Sequence, residues 1–431
     1  MTSATETRRT TRGRAGGVAA ELAAAIEPLV GGDLPVRLRA WDGSEAGPED
    51  AAVVEIRTPD ALRRLLWHPG ELGAAQGYVT GELEVHGDLE AALTHAFAVG
   101  RERGLTGRPS PGAFARGVRT LRSLGVLGRP PAPPASQARV RGRLHSPRRD
   151  RRAISHHYDL SNEFYGLILD PAMAYSCAFF GDDPDQSLAS AQEAKLDLIC
   201  RKLDLGPDRT LLDVGCGWGS LSLHAAERFG ARVVGVTIAA EQKKLIDQRI
   251  AARGLGDRVE IRLQDYREVP ERDFFDAVGS LEMGEHVGER NYPTYVDVLR
   301  RSVRPGGRVL VQQMSRTGRH PGGGPFIESF IAPDMYMRPV GETVGLMERG
   351  GLEVRDVQAL REHYVRTVAG WLENFELHLP ELTALVGEEV VRVWRLYLVG
   401  GALAFRDGRM GVDQILSVRP GDHDLPPERA R

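Results

Sequence analysis

The chain has 431 residues, with 56 Lys and Arg against 59 Asp and Glu and a formal charge of −3. That length exceeds one compact core and implies two domains with linkers, while the near-neutral balance excludes a global attraction to polyanions. Its three cysteines, Cys177, Cys200 and Cys216, lack CxxC spacing and a histidine partner, which excludes a disulfide framework and a metal site and fits a reducing cytoplasm. No run of about 18 apolar residues offers a bilayer span.

Residues 1–17 have no apolar h-region and read as a disordered basic tail. From 18 to 104 the pattern predicts a small α+β domain without an obvious catalytic constellation. It comprises a helix over 18–29, short strands near 35–41 and 52–57, a helix capped by Thr58, a glycine-punctuated stretch at 73–87 and a helix over 89–101. Residues 105–152 form an amphipathic and Pro/Arg-rich linker. Phe114, Val118 and Leu121 fall at helical spacing among Arg116, Arg119 and Arg122, a pattern suited to a membrane interface. Seven arginines, at 139, 141, 143, 148, 149, 151 and 152, are opposed only by Asp150. Three readings stay open for them. They are a solvated linker, attraction to anionic lipid at about 1 kcal/mol per basic residue, or nucleic-acid binding without an accompanying recognition signature.

A helix over 190–203 leads to LLDVGCGWG at 211–219, an apolar strand that ends in a glycine turn and opens a helix. Glycines at 215, 217 and 219 let the backbone bend tightly and approach a ligand. Strands at 231–236, 258–263 and 274–281 alternate with helices, so the sheet is parallel and the turns at 215–219, 237–242, 264–267 and 279–285 share its ligand-binding edge. The turn lacks the Lys-Ser/Thr of a triphosphate site and the GxGxxG frame of a dinucleotide site. Asp213, just before it, suits a ligand carrying a positive amine.

That pattern resembles motif I of S-adenosylmethionine-dependent methyltransferases. HYDLSNEFY, DPAMAYSCAFF, AQEAKLDLICRKL, LLDVGCGWG, VVGVTIAAEQ, LQDYRE and EHVGERNYPTY, in unbroken order, resemble the cyclopropane fatty acid synthase family of lipid methyltransferases over residues 155–410. The resemblance implies an α/β fold. A Rossmann-like class I methyltransferase domain with a mainly parallel seven-stranded sheet would span 153–418, with a polar, disordered tail from 419. It implies S-adenosylmethionine as methyl donor, with Tyr175, Ser176, Gly215 and Gly217 at its methionine end. Thr237 and Gln242 match the ribose contacts, and Gln264, Asp265 and Tyr266 the adenine pocket.

The substrate so implied is an oleoyl-type cis-unsaturated acyl chain in membrane phospholipid, methylated by a cytoplasmic enzyme peripheral to the inner membrane face. Methylation leaves a cation, for which Tyr158, Phe179, Tyr292, Phe330 and Tyr364 are candidate aromatic faces. In the family a bound bicarbonate is the base. Cys177, Glu285 and Tyr364 match its cysteine, glutamate and tyrosine, but Gln312 stands where a histidine is expected. Glu282, three residues before Glu285, shares a face with it if the segment is helical; the pair then either raises one pKa by mutual repulsion, which would make a protein base, or simply faces solvent. Early proton loss closes a cyclopropane. Loss after a hydride shift gives a methylene branch, toward which the altered cluster leans and which a partner reductase would complete. Residues 326–337 suit an acyl-chain lid and a helix over 390–405 suits sheet packing. A homodimer is compatible with the sequence. A nucleic-acid methyltransferase, lacking an Asn/Asp-Pro-Pro-aromatic motif, and a non-catalytic lipid-binding protein are the readings from other classes.

Overall fold

The computed structural model describes residues 16–104, 111–138, 145, 149, 160–317 and 322–421. The tail at 1–15, Tyr158, the linker arginines at 139, 141, 143, 148, 151 and 152 and residues 422–431 lie outside the described residues. The chain divides into two compact units, Met1–Ala135 and Ser136–Arg431.

In the first unit β1 (Arg37–Arg39), β2 (Glu45–Ala46), β3 (Val53–Ile56) and β4 (Leu83–His86) form a sheet in the order β2-β1-β3-β4. Leu22, Leu38, Ile56 and Leu62 make its core. The glycine-punctuated stretch holds a helix, Glu71–Val79, that the sequence reading missed. Its glycines serve close packing, since a Cβ at Gly73 would lie 2.3 Å from the His68 carbonyl oxygen. The amphipathic helix Pro111–Ser123 exposes Arg116, Arg119 and Arg122, but its Leu121 packs against the core of its own unit. That side chain is therefore not available to a membrane interface.

The second unit carries β5 (Thr210–Val214), β6 (Arg232–Thr237), β7 (Val259–Leu263), β8 (Phe275–Leu281), β9 (Val303–Ser315), β10 (Glu353–Ala359) and β11 (Gly411–Val418), in the order β10-β11-β9-β8-β5-β6-β7. From β9 through β7 neighbours run parallel, and β11 is antiparallel to both β9 and β10. Successive residues of β5 face opposite sides. Leu211 joins a core with Leu196, Leu221 and Ile246, and Leu212 one with Tyr295, Leu299 and Met347. Burial on both faces explains the near-continuous apolar run that marked this strand in the sequence. Strand order reverses between β5 and β8, the point where ligands enter such sheets.

Helix Leu188–Lys202 is capped by Ser187, whose side chain accepts from Ser190 N–H. Beyond the sheet, helices Arg361–Leu377 and Leu379–Arg406 follow, the latter kinked at Gly387 (φ +80°). The expectation that residues 390–405 serve sheet packing needs correction, because Trp394 meets the rings of Phe164, Tyr165 and Tyr175. Arg419, where a disordered tail was expected to begin, donates to the carbonyls of Val303 and Arg300 and pairs with Asp273. Arg149 forms a two-pronged ion pair with Asp334 and is thereby occupied within the unit. No helix among the described residues is long and apolar enough to cross a membrane.

Candidate active site

The turn after β5 takes positive φ at Gly215 (+78°), Gly217 (+54°) and Gly219 (+82°). It opens onto a cleft of about 1100 Å³, mouth included, along the carboxyl ends of β5 to β8. All ten residues assigned to the cofactor line it: Tyr175, Ser176, Asp213, Gly215, Gly217, Thr237, Gln242, Gln264, Asp265 and Tyr266. A Cβ at Gly217 would meet nothing within 4 Å, so the cleft comes right up to this backbone. Thr237 Oγ1 donates to Gln242 Oε1 at 2.9 Å, which locks the pair on the lip after β6. Asp265 accepts from its own Arg267 side chain at 2.8 and 2.6 Å, so its carboxylate faces the cleft already paired. Burial lifts the Asp213 carboxyl to about 6, with the Ser222 hydroxyl (2.7 Å) and Lys195 opposing the rise. Open glycine backbone, a polar lip and an acid at the strand end together fit an adenosyl-type cofactor with a charged amine.

The cleft floor carries a carboxylate cluster. Glu282 Oε1 accepts from Cys177 N–H at 2.7 Å and Gln312 Nε2 at 2.9 Å, and Oε2 accepts from Tyr364 O–H at 2.5 Å. Gln312 is itself oriented by Gln414, whose Nε2 donates to its Oε1 at 3.0 Å. Glu282 lines the cleft and is partly accessible from it. Burial raises its carboxyl above the ordinary value, against the lowering pull of Tyr364, Cys177 N–H, Gln312 and Lys195.

The helical expectation for Glu282 and Glu285 is corrected here. β8 runs to Leu281, Glu282 takes φ +49°, and only Gly284–His286 makes a short 3-10 turn. A non-glycine residue in that region costs about 1–3 kcal/mol and is held only where the surroundings fix it. The bend aims Glu282 at Cys177, Gln312 and Tyr364, whereas Glu285 Oε1 accepts from Met314 N–H at 2.5 Å. The carboxylate joined to Cys177 and Tyr364 is thus Glu282 rather than Glu285.

Burial, and then the charge of Glu282, push the Glu285 carboxyl up to about 8 from 4.5. The folded chain then binds more protons than the unfolded chain between those values, so stability falls as pH rises from 4.5 to about 8. Glu285→Gln should flatten this fall, seen as a melting temperature less dependent on pH across that window. An unchanged slope would assign the titration elsewhere.

Among the expected aromatic faces, Tyr364 belongs to the cluster and Phe179 lies against His363. Tyr292 is corrected, because it is fully buried beneath Arg338, whose guanidinium sits 3.9 Å from its ring centroid. Phe330 packs against Phe326 and does not line the cleft. The sequence reading missed a ring set around Tyr175, namely Tyr165, Trp218, Trp371 and Trp394, and the Tyr175 hydroxyl that donates to Tyr397 at 2.9 Å. Trp371 also meets Tyr364 edge-on, which links the ring set to the cluster. It missed Lys195 as well, although Gln192 and Lys195, three apart on an otherwise apolar helix face, were a readable signal.

The sheet order, the glycine turn and the cleft define a Rossmann-like class I methyltransferase fold. The family described as mycolic acid cyclopropane synthetase matches residues 145–415, and the chain belongs to it. A probable fatty acid methyltransferase of Pseudomonas putida is 38% identical, covering 94% of this chain and 98% of its own length. The tuberculostearic acid methyltransferase UfaA1 of Mycobacterium tuberculosis is 35% identical over 90% of this chain and 88% of its own. Among solved structures, the mycolic acid cyclopropane synthase CmaA1 complexed with SAH and CTAB superposes with a TM-score of 0.58, at 31% identity over 62% of this chain and 98% of that one.

Proposed function

We propose that the chain transfers a methyl group from S-adenosylmethionine to the cis double bond of an oleoyl-type acyl chain in membrane phospholipid, giving a methylene-branched (10-methylene) product. The observation that carries this reading is the Glu282 carboxylate at the floor of the cofactor cleft, held on both oxygens by Cys177, Gln312 and Tyr364. The fatty acid and tuberculostearic acid methyltransferases among its relatives support the acyl substrate.

When bound, S-adenosylmethionine supplies an electrophilic methyl. Tyr175, Ser176, Asp213, Gly215 and Gly217 would hold its methionine end, Thr237 and Gln242 its ribose, and Gln264, Asp265 and Tyr266 its adenine. An alkene is a weak nucleophile, so the cleft must align it with that methyl and exclude water. The alkene electron pair forms the new C–C bond as the methyl parts from its sulfur, which keeps the S–C electron pair as the thioether, and a cation is left on the neighbouring carbon. The rings of Tyr175 and Trp218, which line the cleft, can each stabilise it by about 0.5–2 kcal/mol. A 1,2-hydride shift carries the charge to the methyl-bearing carbon. Glu282 then takes a proton from the methyl, and the C–H pair becomes the new C=C bond.

Bicarbonate does not fit as the base. The donors that would hold it are satisfied by Glu282, and a second anion beside that carboxylate would be repelled. Three hydrogen bonds also temper the basicity of Glu282, which gives the hydride shift time to precede proton loss and favours methylene over ring closure. A separate reductase would complete a methyl branch. Working from the cytoplasm, the enzyme would meet its substrate at the inner membrane face. The test is methyl-labelled S-adenosylmethionine with vesicles of dioleoyl or distearoyl phosphatidylglycerol. Label should enter the acyl fraction of the dioleoyl lipid alone, and label in neither lipid would refute the acceptor.

A further inference from the structure

Lys195 is fully buried, an ammonium on helix Leu188–Lys202 that none of the steps above uses. Its Nζ lies 2.8 Å from Ser176 Oγ. One turn earlier, Gln192 Nε2 donates to the carbonyls of Ser176 at 2.8 Å and Ala174 at 3.2 Å. These two side chains strap residues 174–177 to the helix, with Ser176 at the cofactor cleft and Cys177 N–H on Glu282. Burial pulls the Lys195 ammonium below its ordinary value, and the carboxylates of Glu282, Asp170 and Asp213 oppose that fall. Asp213 lines the cleft beside the glycine turn, and Asp170 caps the strap by accepting from Ala172 N–H and Ala174 N–H at 2.8 and 2.9 Å. An ammonium out of water is tolerated only where carboxylates balance it, and those carboxylates depend on it in return.

We infer that Lys195 is a positioning residue that supplies the counter-charge for Glu282 and Asp213 and fixes the strap between cofactor and base. The inference rests on Glu282 as base. The titratable groups around Glu282 are the Cys177 thiol on the strap, Glu285 on the 3-10 turn, Tyr364 on helix Arg361–Leu377, Tyr397 on helix Leu379–Arg406 and Lys195. Of these Lys195 carries the positive charge. The others are neutral or, when ionised, negative. Without it, Glu282 ionises less readily, and the fraction of enzyme with a competent base falls at neutral pH.

The pH profile of kcat tests this with Lys195→Met and Ser176→Ala. In Lys195→Met the rising limb should move up by at least about one pH unit, a tenfold loss below the limb that recovers at higher pH. Ser176→Ala, which removes the hydrogen bond but not the charge, should raise the KM for S-adenosylmethionine and leave the limb in place. An equal loss at every pH, or an unmoved limb, in Lys195→Met overturns the inference. If Lys195→Met folds poorly, the Lys195→Met/Glu282→Gln double variant should melt higher than the single variant, because it removes a carboxylate left unbalanced. A double variant no more stable than the single overturns it equally. Should Glu282→Gln alone keep full turnover, the base assignment fails. An unmoved limb in Lys195→Met beside an inactive Glu282→Gln condemns Lys195 alone.

Discussion

Glu282→Gln should lower methyl transfer by roughly 10²–10⁴-fold, the usual contribution of a positioned general base, while S-adenosylhomocysteine still binds. The substitution preserves size and backbone, so the bend at φ +49° survives. What it removes is the capacity to accept a proton. It also turns an amide N–H₂ toward donors already aimed at this site, from Cys177, Gln312 and Tyr364, so one of them loses its acceptor. Cofactor binding by calorimetry separates lost chemistry from lost fold. Full turnover with bound cofactor would remove Glu282 from the mechanism.

Gly217→Asp should abolish cofactor binding, with an affinity loss of at least about 100-fold, or ~2.7 kcal/mol. Aspartate tolerates the left-handed backbone that Gly217 adopts at φ +54°, and no atom lies within 4 Å of the new Cβ, so the fold should persist. The side chain would instead project into the space the cofactor needs and set a second carboxylate near Asp213, whose own carboxyl burial already lifts to about 6. At Gly219, by contrast, a Cβ would press 3.0 Å from Ile246 and confound packing with binding. An unchanged affinity in Gly217→Asp would sink the assignment of the glycine turn to the cofactor.

That the ten residues assigned to the cofactor share one cleft was legible because its determinants are local. A strand buried on both faces reads as an apolar run, the turn as spaced glycines, and the lip begins at the strand end itself, with Thr237 closing β6 and Gln242 following shortly after. The geometry of the proposed base was harder. Two glutamates three apart suggested one helical face, and although the strand was read through to Leu281, nothing in SLEMGEHVG announces that Glu282 then takes a left-handed bend. The bend separates the two carboxylates and gives them different donors. The ring set was hidden by distance, since Tyr175 meets Tyr397 across 222 residues of sequence. Tyr292 read as an aromatic face because sequence pattern does not reveal the buried guanidinium of Arg338 above its ring. The glycines of 73–87 left that stretch without an assigned element because close helix packing and turn-making call for the same residue.

Gas chromatography–mass spectrometry of membrane fatty acids, from a host rich in oleate with and without this gene, tests the central claim most directly. A new methylene-branched acyl species, absent when Glu282→Gln replaces the native chain, is the expected result. A cyclopropane species would contradict proton loss after the hydride shift. No new acyl species from a chain that binds S-adenosylhomocysteine would contradict the acyl acceptor itself.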